Sequence, residues 1–313
     1  MRALPFGTTG KLKPIDLDKL RRSGRISATA LRHGRAMIAP GARIEDIARA
    51  CEQVILDLGG KPAFPTQLSR NHIAAHYCSP PGDPTVLQPD DIVKLDLGTQ
   101  VDGYVTDNAT TVDLRDGDGS LLVAASRMAL DNAIAVMGPG ASLTEIGRQI
   151  EGTIKALGFT PVYNLTGHGV ARYVIHCAPS VPNYPDTKAG RLRANMTIAC
   201  EPFACDGRGS IEVNGAAEVF MLRREIRPKD SVPADVLEAV AVTEGLPFAR
   251  RQLQPKLGSP ARVDEAIALL RKKGLIEEYP PLCEKRGVRV AQTEHTIFIG
   301  EQGAEVVTRP PED

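Results

Sequence analysis

Residues 37–64, MIAPGARIEDIARACEQVILDLGGKPAF, return as residues 136–163, VMGPGASLTEIGRQIEGTIKALGFTPVY, at a constant offset of 99 and without a gap. Ten of the 28 positions are identical, among them Pro40-Gly41 over Pro139-Gly140, Ile47 over Ile146, Glu52 over Glu151 and Gly59 over Gly158. Such a repeat constrains the fold, because each copy must bury its apolar face against a neighbour. In each copy a helix stops at Pro-Gly, which cannot continue it. The next helix carries apolar residues at helical spacing: Ile44, Ile47, Cys51, Val54, Ile55 and Leu58 in the first copy. A glycine closes it and an apolar strand segment follows. A further helix precedes each copy, over Leu17–Met37 and Leu121–Val136. With only two copies, the repeat predicts two αα-plus-strand halves about a pseudo-twofold axis rather than a solenoid. A site between such halves draws ligands from both.

Beyond the second half the pattern changes. Residues 222–282 read as mostly helical. One helix is expected over Pro233–Glu244 with Ser231 as cap, and another over Ala261–Lys273, capped by Ser259 and ended by Gly274. The β pattern returns in VRVAQTEHTIFIG, Val288–Gly300. No low-complexity linker divides the chain. The expectation is one α+β catalytic domain, residues 1–221 and 283–313, carrying a helical insert, residues 222–282.

Charge narrows the function classes. Lys plus Arg is 38 and Asp plus Glu is 38, so the net charge is zero. A dedicated nucleic-acid or anionic-membrane binder carries a basic excess. The start of the chain, MRALPFGTTGKLKPIDLDKL, has no apolar h-region, so no signal peptide is expected. No apolar run reaches the roughly 18 residues of a membrane span. The six cysteines (Cys51, Cys78, Cys177, Cys200, Cys205, Cys283) form no C-x-x-C pair. Free thiols in a cytoplasmic, reducing compartment are expected.

Five polar residues break the hydrophobic logic. Asp96 and Asp107 sit at inward-facing positions of KLDLGTQVDGYVTDNATTV, which reads as a hairpin around Gly98 and Gly103. His168 lies between glycines in GHGVARYVIH, with His176 eight residues on. Glu201 ends the apolar run Met196–Cys200, and Glu294 interrupts the strand VAQTEHTIFI. Singly, each has an ordinary reading: a glutamate on a solvent face, or a hydrogen-bonded turn histidine. Jointly, four carboxylates and one imidazole in one core repel unless cations neutralise them. Oxygen-rich ligation with a single histidine suits Mn, Fe, Co or Zn, whereas a structural zinc site prefers Cys and His. Four carboxylates able to bridge or chelate suit two ions.

These segments, together with FPTQLSRNHIAAHY, EPFACDGRGSIEV, LPFARRQL and YPPLCEKRGVRVAQTEHTIF, give the chain a resemblance to the type II methionine aminopeptidases, within the pita-bread metallopeptidases. The resemblance covers nearly the whole chain. The spacing of 93 positions from Glu201 to Glu294 leaves room for the insert that distinguishes type II from type I. It implies a pita-bread (creatinase/aminopeptidase) fold with a winged-helix-like insert and two divalent metal ions per chain (Co, Mn, Fe or Zn). Asp96 would chelate one metal, Asp107 and Glu294 bridge, and His168 and Glu201 bind the other. His76 and His176 would be the non-ligand histidines facing substrate, with Glu201 also moving protons. Phe64, Ile175 and Tyr279 would line the methionine pocket.

The implied activity is removal of the initiator methionine from nascent proteins and peptides with a small second residue. The implied partners are a peptide N-terminus and a transient ribosome contact, with no specific nucleic acid and no membrane, for a monomer. The polar N-terminal extension of eukaryotic type II enzymes is missing, which suggests an archaeal-style minimal enzyme. Two alternatives stand beside this reading: a prolidase or Xaa-Pro aminopeptidase, and a metal-free adaptor on the same scaffold.

Overall fold

The computed structural model of the chain describes residues 15–309. The absent h-region was read largely from residues outside that range, as were the outermost ends of the expected catalytic domain.

The repeat becomes a structural repeat. Helix α1 (Leu17–Met37) is followed by α2 (Ile44–Asp57), and α3 (Leu121–Ala135) by α4 (Leu143–Ala156). The Pro-Gly turns match to the hydrogen bond. Gly41 N donates to Leu87 O at 2.8 Å and Leu87 N to Ala42 O at 2.9 Å; Gly140 N donates to Leu192 O at 2.8 Å and Leu192 N to Ala141 O at 2.9 Å. Both glycines have φ 86°, a conformation that a side chain disfavours. α2 buries Ile44, Ile47, Cys51 and Ile55, and α4 buries Leu143, Ile146, Ile150 and Ile154. Each fully buried aliphatic contributes about 1.5–3 kcal/mol. Leu58, expected on the same face, is instead 44% exposed at the end of α2.

Each half sets its helices against an antiparallel sheet. In the first, Ile92–Val101 is central between Lys61–Arg70 and Tyr104–Asp113. The expected hairpin turns at Asp102-Gly103, both left-handed at φ 50° and 84°, the geometry that matches strand twist in a two-residue loop. In the second, five strands run in the order Gly303–Val306, His295–Gly300, Met196–Cys200, Thr166–Ala171, Val174–Pro182. The expected strand Val288–Gly300 is two strands, Val290–Gln292 and His295–Gly300. The break falls at Thr293-Glu294 because Glu294 leaves its sheet to bridge to Ala109, donating N–H to Ala109 O at 3.0 Å.

The stretch read as helical contains α5 (Ala234–Ala241), α6 (Arg250–Leu257) and α7 (Pro260–Lys272). It adds a three-stranded sheet, with Val219–Leu222 between Phe248–Ala249 and Ile276–Tyr279. The helices and sheet enclose a cluster of their own, including Phe220, Val236, Phe248, Leu253, Ile267 and Leu270. α7 is capped as expected: Ser259 Oγ accepts from Arg262 N at 3.2 Å, and Gly274 follows at φ 64°. α5 is shorter than expected. Its N-cap is Pro233, because Ser231 lies at φ 50° closing a turn over Pro228–Asp230. Its far end gives way to a turn at Glu244-Gly245, both left-handed.

Candidate metal centre

All ten residues singled out from the sequence line one cavity of about 530 Å³: Phe64, His76, Asp96, Asp107, His168, Ile175, His176, Glu201, Tyr279 and Glu294. The two sheets deliver most of them, while Tyr279 comes from the insert's sheet and His76 from the loop after Ile73–Ala75. Asp96 lies on the central strand of the first sheet, opposite Gln67 and Ala109, and Asp107 lies opposite Gly98. In the second half His168 pairs with Ala199, and Glu201 follows directly on the strand ending at Cys200. The pseudo-symmetry reaches the candidate ligands: Leu87 and Leu192, which close the matching loops, are 105 residues apart, as are Asp96 and Glu201. Glu294 enters at the bridge joining the sheets.

His168 Nε2 stands 3.6 Å from Asp107 Oδ2 and 3.7 Å from Glu201 Oε1. One ligand atom each from Asp107, His168 and Glu294 falls within a 4.8 Å span. Asp96 Oδ1, Asp107 Oδ1 and Glu294 Oε1 are buried with no hydrogen-bond partner. Among the described residues, no lysine or arginine pairs with Asp96, Asp107, Glu201 or Glu294. Burial, then the neighbouring carboxylates, holds Asp107, Glu201 and Glu294 well above the usual carboxylate range. Burial pushes Asp96 up to about 7. Burial and the nearby His176 lower His168 to about 3 and His76 to about 4, and burial lowers His176.

Neutral imidazoles cannot balance four acids. Buried oxygens without hydrogen bonds are costly unless a cation takes them. An oxygen-rich set with one imidazole nitrogen fits hard or borderline divalent ions, so the residues present fit a divalent-metal site.

The other side chains surround that site. His76 sits at φ 66° with its N–H donated to Gln67 Oε1 at 2.8 Å. Its ring is edge-on to Tyr279 at 5.8 Å between centroids, and His176 is edge-on to His168 at 4.3 Å. Phe64 and Ile175 share one apolar cluster with Val105, Val170, Ala199 and Leu246. Tyr279 lines the same cavity but packs in a separate cluster with Cys78, Val219 and Ala249.

Sequence reasoning missed Gln292 and Leu246. Gln292 Nε2 donates to Glu201 Oε2 at 3.2 Å and to Glu294 Oε2 at 3.3 Å, leaving each carboxylate's other oxygen free for a metal. Its signal was present, since Gln292 precedes Glu294 by two in a strand-like run and so shares its face. Leu246 gives no such signal, because it belongs to a turn whose position against Phe64 depends on the insert.

Residues 18–227 match Metallopeptidase family M24. The chain is 38% identical over 293 residues to the methionine aminopeptidase of Archaeoglobus fulgidus, spanning 93% of this chain and 98% of that protein. It is 41% identical over 296 residues to the methionine aminopeptidase of Thermococcus onnurineus, spanning 93% and 99%. The crystal structure of methionine aminopeptidase from Thermotoga maritima superposes with a TM-score of 0.69 at 25% identity, over 96% of this chain and 100% of that one. The two sheet-and-helix halves are thus those of the pita-bread fold, and the chain belongs to metallopeptidase family M24.

Proposed function

We propose that this protein is a divalent-metal exopeptidase that removes N-terminal methionine from peptides and nascent proteins with a small second residue. One observation carries the reading: in a single cavity, buried carboxylate oxygens without partners converge beside an apolar slot walled by Phe64 and Ile175. The relatives named as methionine aminopeptidases support it. We assign two ions per chain, drawn from Co, Mn, Fe and Zn. Asp96 would hold one, His168 and Glu201 would hold the other, and Asp107 and Glu294 would serve both. Among the described residues, 15–218 and 280–309 make up the catalytic domain and 219–279 its insert, which takes in the strand Val219–Leu222 just before the expected boundary at 222. The chain acts as a monomer in the cytoplasm and meets nascent chains through a transient ribosome contact.

When bound, the divalent metal supplies a water-derived nucleophile near neutral pH and polarises the carbonyl under attack. The chain's own groups do the rest. The methionine thioether enters the slot, where contact with Phe64 is worth about 0.3–1.5 kcal/mol. His176, held neutral, donates to the carbonyl oxygen as negative charge develops there. Glu201 takes the proton from the attacking water and delivers it to the leaving amine. His76, also neutral, hydrogen-bonds beside the scissile nitrogen.

The test is a peptide panel. Chelator-stripped protein is resupplied with Co, Mn, Fe or Zn and offered Met-Ala-Ser, Met-Leu-Ser and Ala-Pro-Ser. Methionine release from the first peptide alone is expected. Cleavage of Ala-Pro-Ser would place the protein with the prolidases, and no cleavage together with no bound metal would support an adaptor.

A further inference from the structure

Two charged residues of the insert reach the first half of the molecule: Glu244, which accepts from Lys61 Nζ at 2.9 Å and Gln100 Nε2 at 2.7 Å, and a buried arginine. Arg251, in the first turn of α6, is 4% exposed. Its Nη2 donates to Glu52 Oε1 at 2.5 Å and to Thr66 O at 3.2 Å. Its Nη1 donates to Cys78 Sγ at 2.6 Å and to Ser79 O at 3.4 Å. Glu52 Oε1 also accepts from Thr66 N at 3.0 Å. A buried guanidinium is tolerated when paired with a carboxylate; here Nη1 and Nη2 are taken up, while Nε is buried with no partner among the described residues. This one ties together α2, the strand Lys61–Arg70 and the loop after His76.

Both flanks of His76 are in its grip. His76 has a left-handed backbone, which a non-glycine residue keeps only where its surroundings impose it. On one side the His76 amide is held by Gln67, the residue after Thr66. On the other, Cys78 and Ser79 take the guanidinium, and Cys78 packs on Val219, Ala249 and Tyr279. The repeat marks the arrangement as particular to this half. Glu151, the counterpart of Glu52, takes hydrogen bonds from Lys155 and Tyr163 of its own half instead.

We infer that Arg251 is a positioning residue: with Glu52 it lets the insert hold the His76 loop, and so the imidazole, at the cavity. This deepens the proposed function and rests on its reading of His76 as the substrate-facing histidine. The insert is then needed for turnover and dispensable for metal binding.

The double variant Glu52→Gln/Arg251→Met removes the pair without leaving a lone buried charge, and a cycle with His76→Ala tests the link. Metal content should stay unchanged while kcat falls roughly ten- to a hundredfold, the usual cost of a misplaced group. His76→Ala should then cost far less in the double variant than in the natural chain. Unchanged kcat, or fully additive losses, would overturn the inference. If His76→Ala leaves the natural chain's rate intact, the reading of His76 itself fails, a result separable from additivity. Where the double variant does not fold, Cys78→Ala carries the same cycle, with non-additivity supporting the link and additivity overturning it.

Discussion

The ring of Phe64 fills the space that Gly98 leaves empty: a Cβ on Gly98 would stand 2.3 Å from Phe64 Cε1. The two residues face each other across the first sheet, and Gly98 also lies opposite Asp107 on its other side. One glycine therefore sets the apolar slot against the proposed metal ligands. Gly98→Ala should displace Phe64 and lower kcat/KM for methionyl peptides by about tenfold or more, the scale of a misfitted methylene. Metal content should hold. Steady-state kinetics with metal analysis checks this, and loss of metal would contradict it.

Asp107→Asn and Glu294→Gln each remove a carboxylate from an oxygen set that, among the described residues, no lysine or arginine shares. Either change should abolish turnover and weaken metal binding, as measured by calorimetric titration of the stripped protein. Near-normal turnover in either would contradict the bridging assignment.

Gln292→Leu keeps a side chain of similar size but removes the amide shared by Glu201 and Glu294. Partners behind metal ligands typically contribute ten- to a hundredfold in affinity. A drop of about that size in metal affinity is expected, read by competition with a metal indicator.

The metal-free protein should be squeezed by pH from both sides. Asp96 has its folded pKa raised from 3.8 to about 7, so its stabilisation is full below the lower value and lost as pH rises through the higher one. Asp107, Glu201 and Glu294 are raised by burial in the same direction. His76 and His168 are lowered from 6.5 to about 4 and about 3, so their contribution is full above 6.5 and lost as pH falls through those values. Asp96 loses its share between about pH 4 and about pH 7, so the Tm gap between metal-bound and chelated protein should widen across that range, metal binding the ionised carboxylates. A Tm gap that stays constant from about pH 4 to about pH 7 would contradict it.

That Asp96, Asp107, His168, Glu201 and Glu294 share one cavity was legible because charged residues in apolar runs have few explanations. The hairpin, α1 and the cap of α7 were legible from local chemistry alone. The insert's sheet was not, since strands of two to four residues carry too little alternation to read. Arg251 and Glu52 were also hidden. A charged residue on a helix ordinarily reads as solvated, and only the docking of α6 on the loop after His76 buries this pair. Tyr279 illustrates the same limit, because its placement beside His76 depends on how the insert packs.

The most direct test of the account is methionine release from Met-Ala-Ser while a divalent metal is titrated into the stripped protein. The account predicts no release without metal and recovery that saturates once the site is filled. Release that persists in the fully stripped protein, or that never appears at any metal concentration, would contradict it.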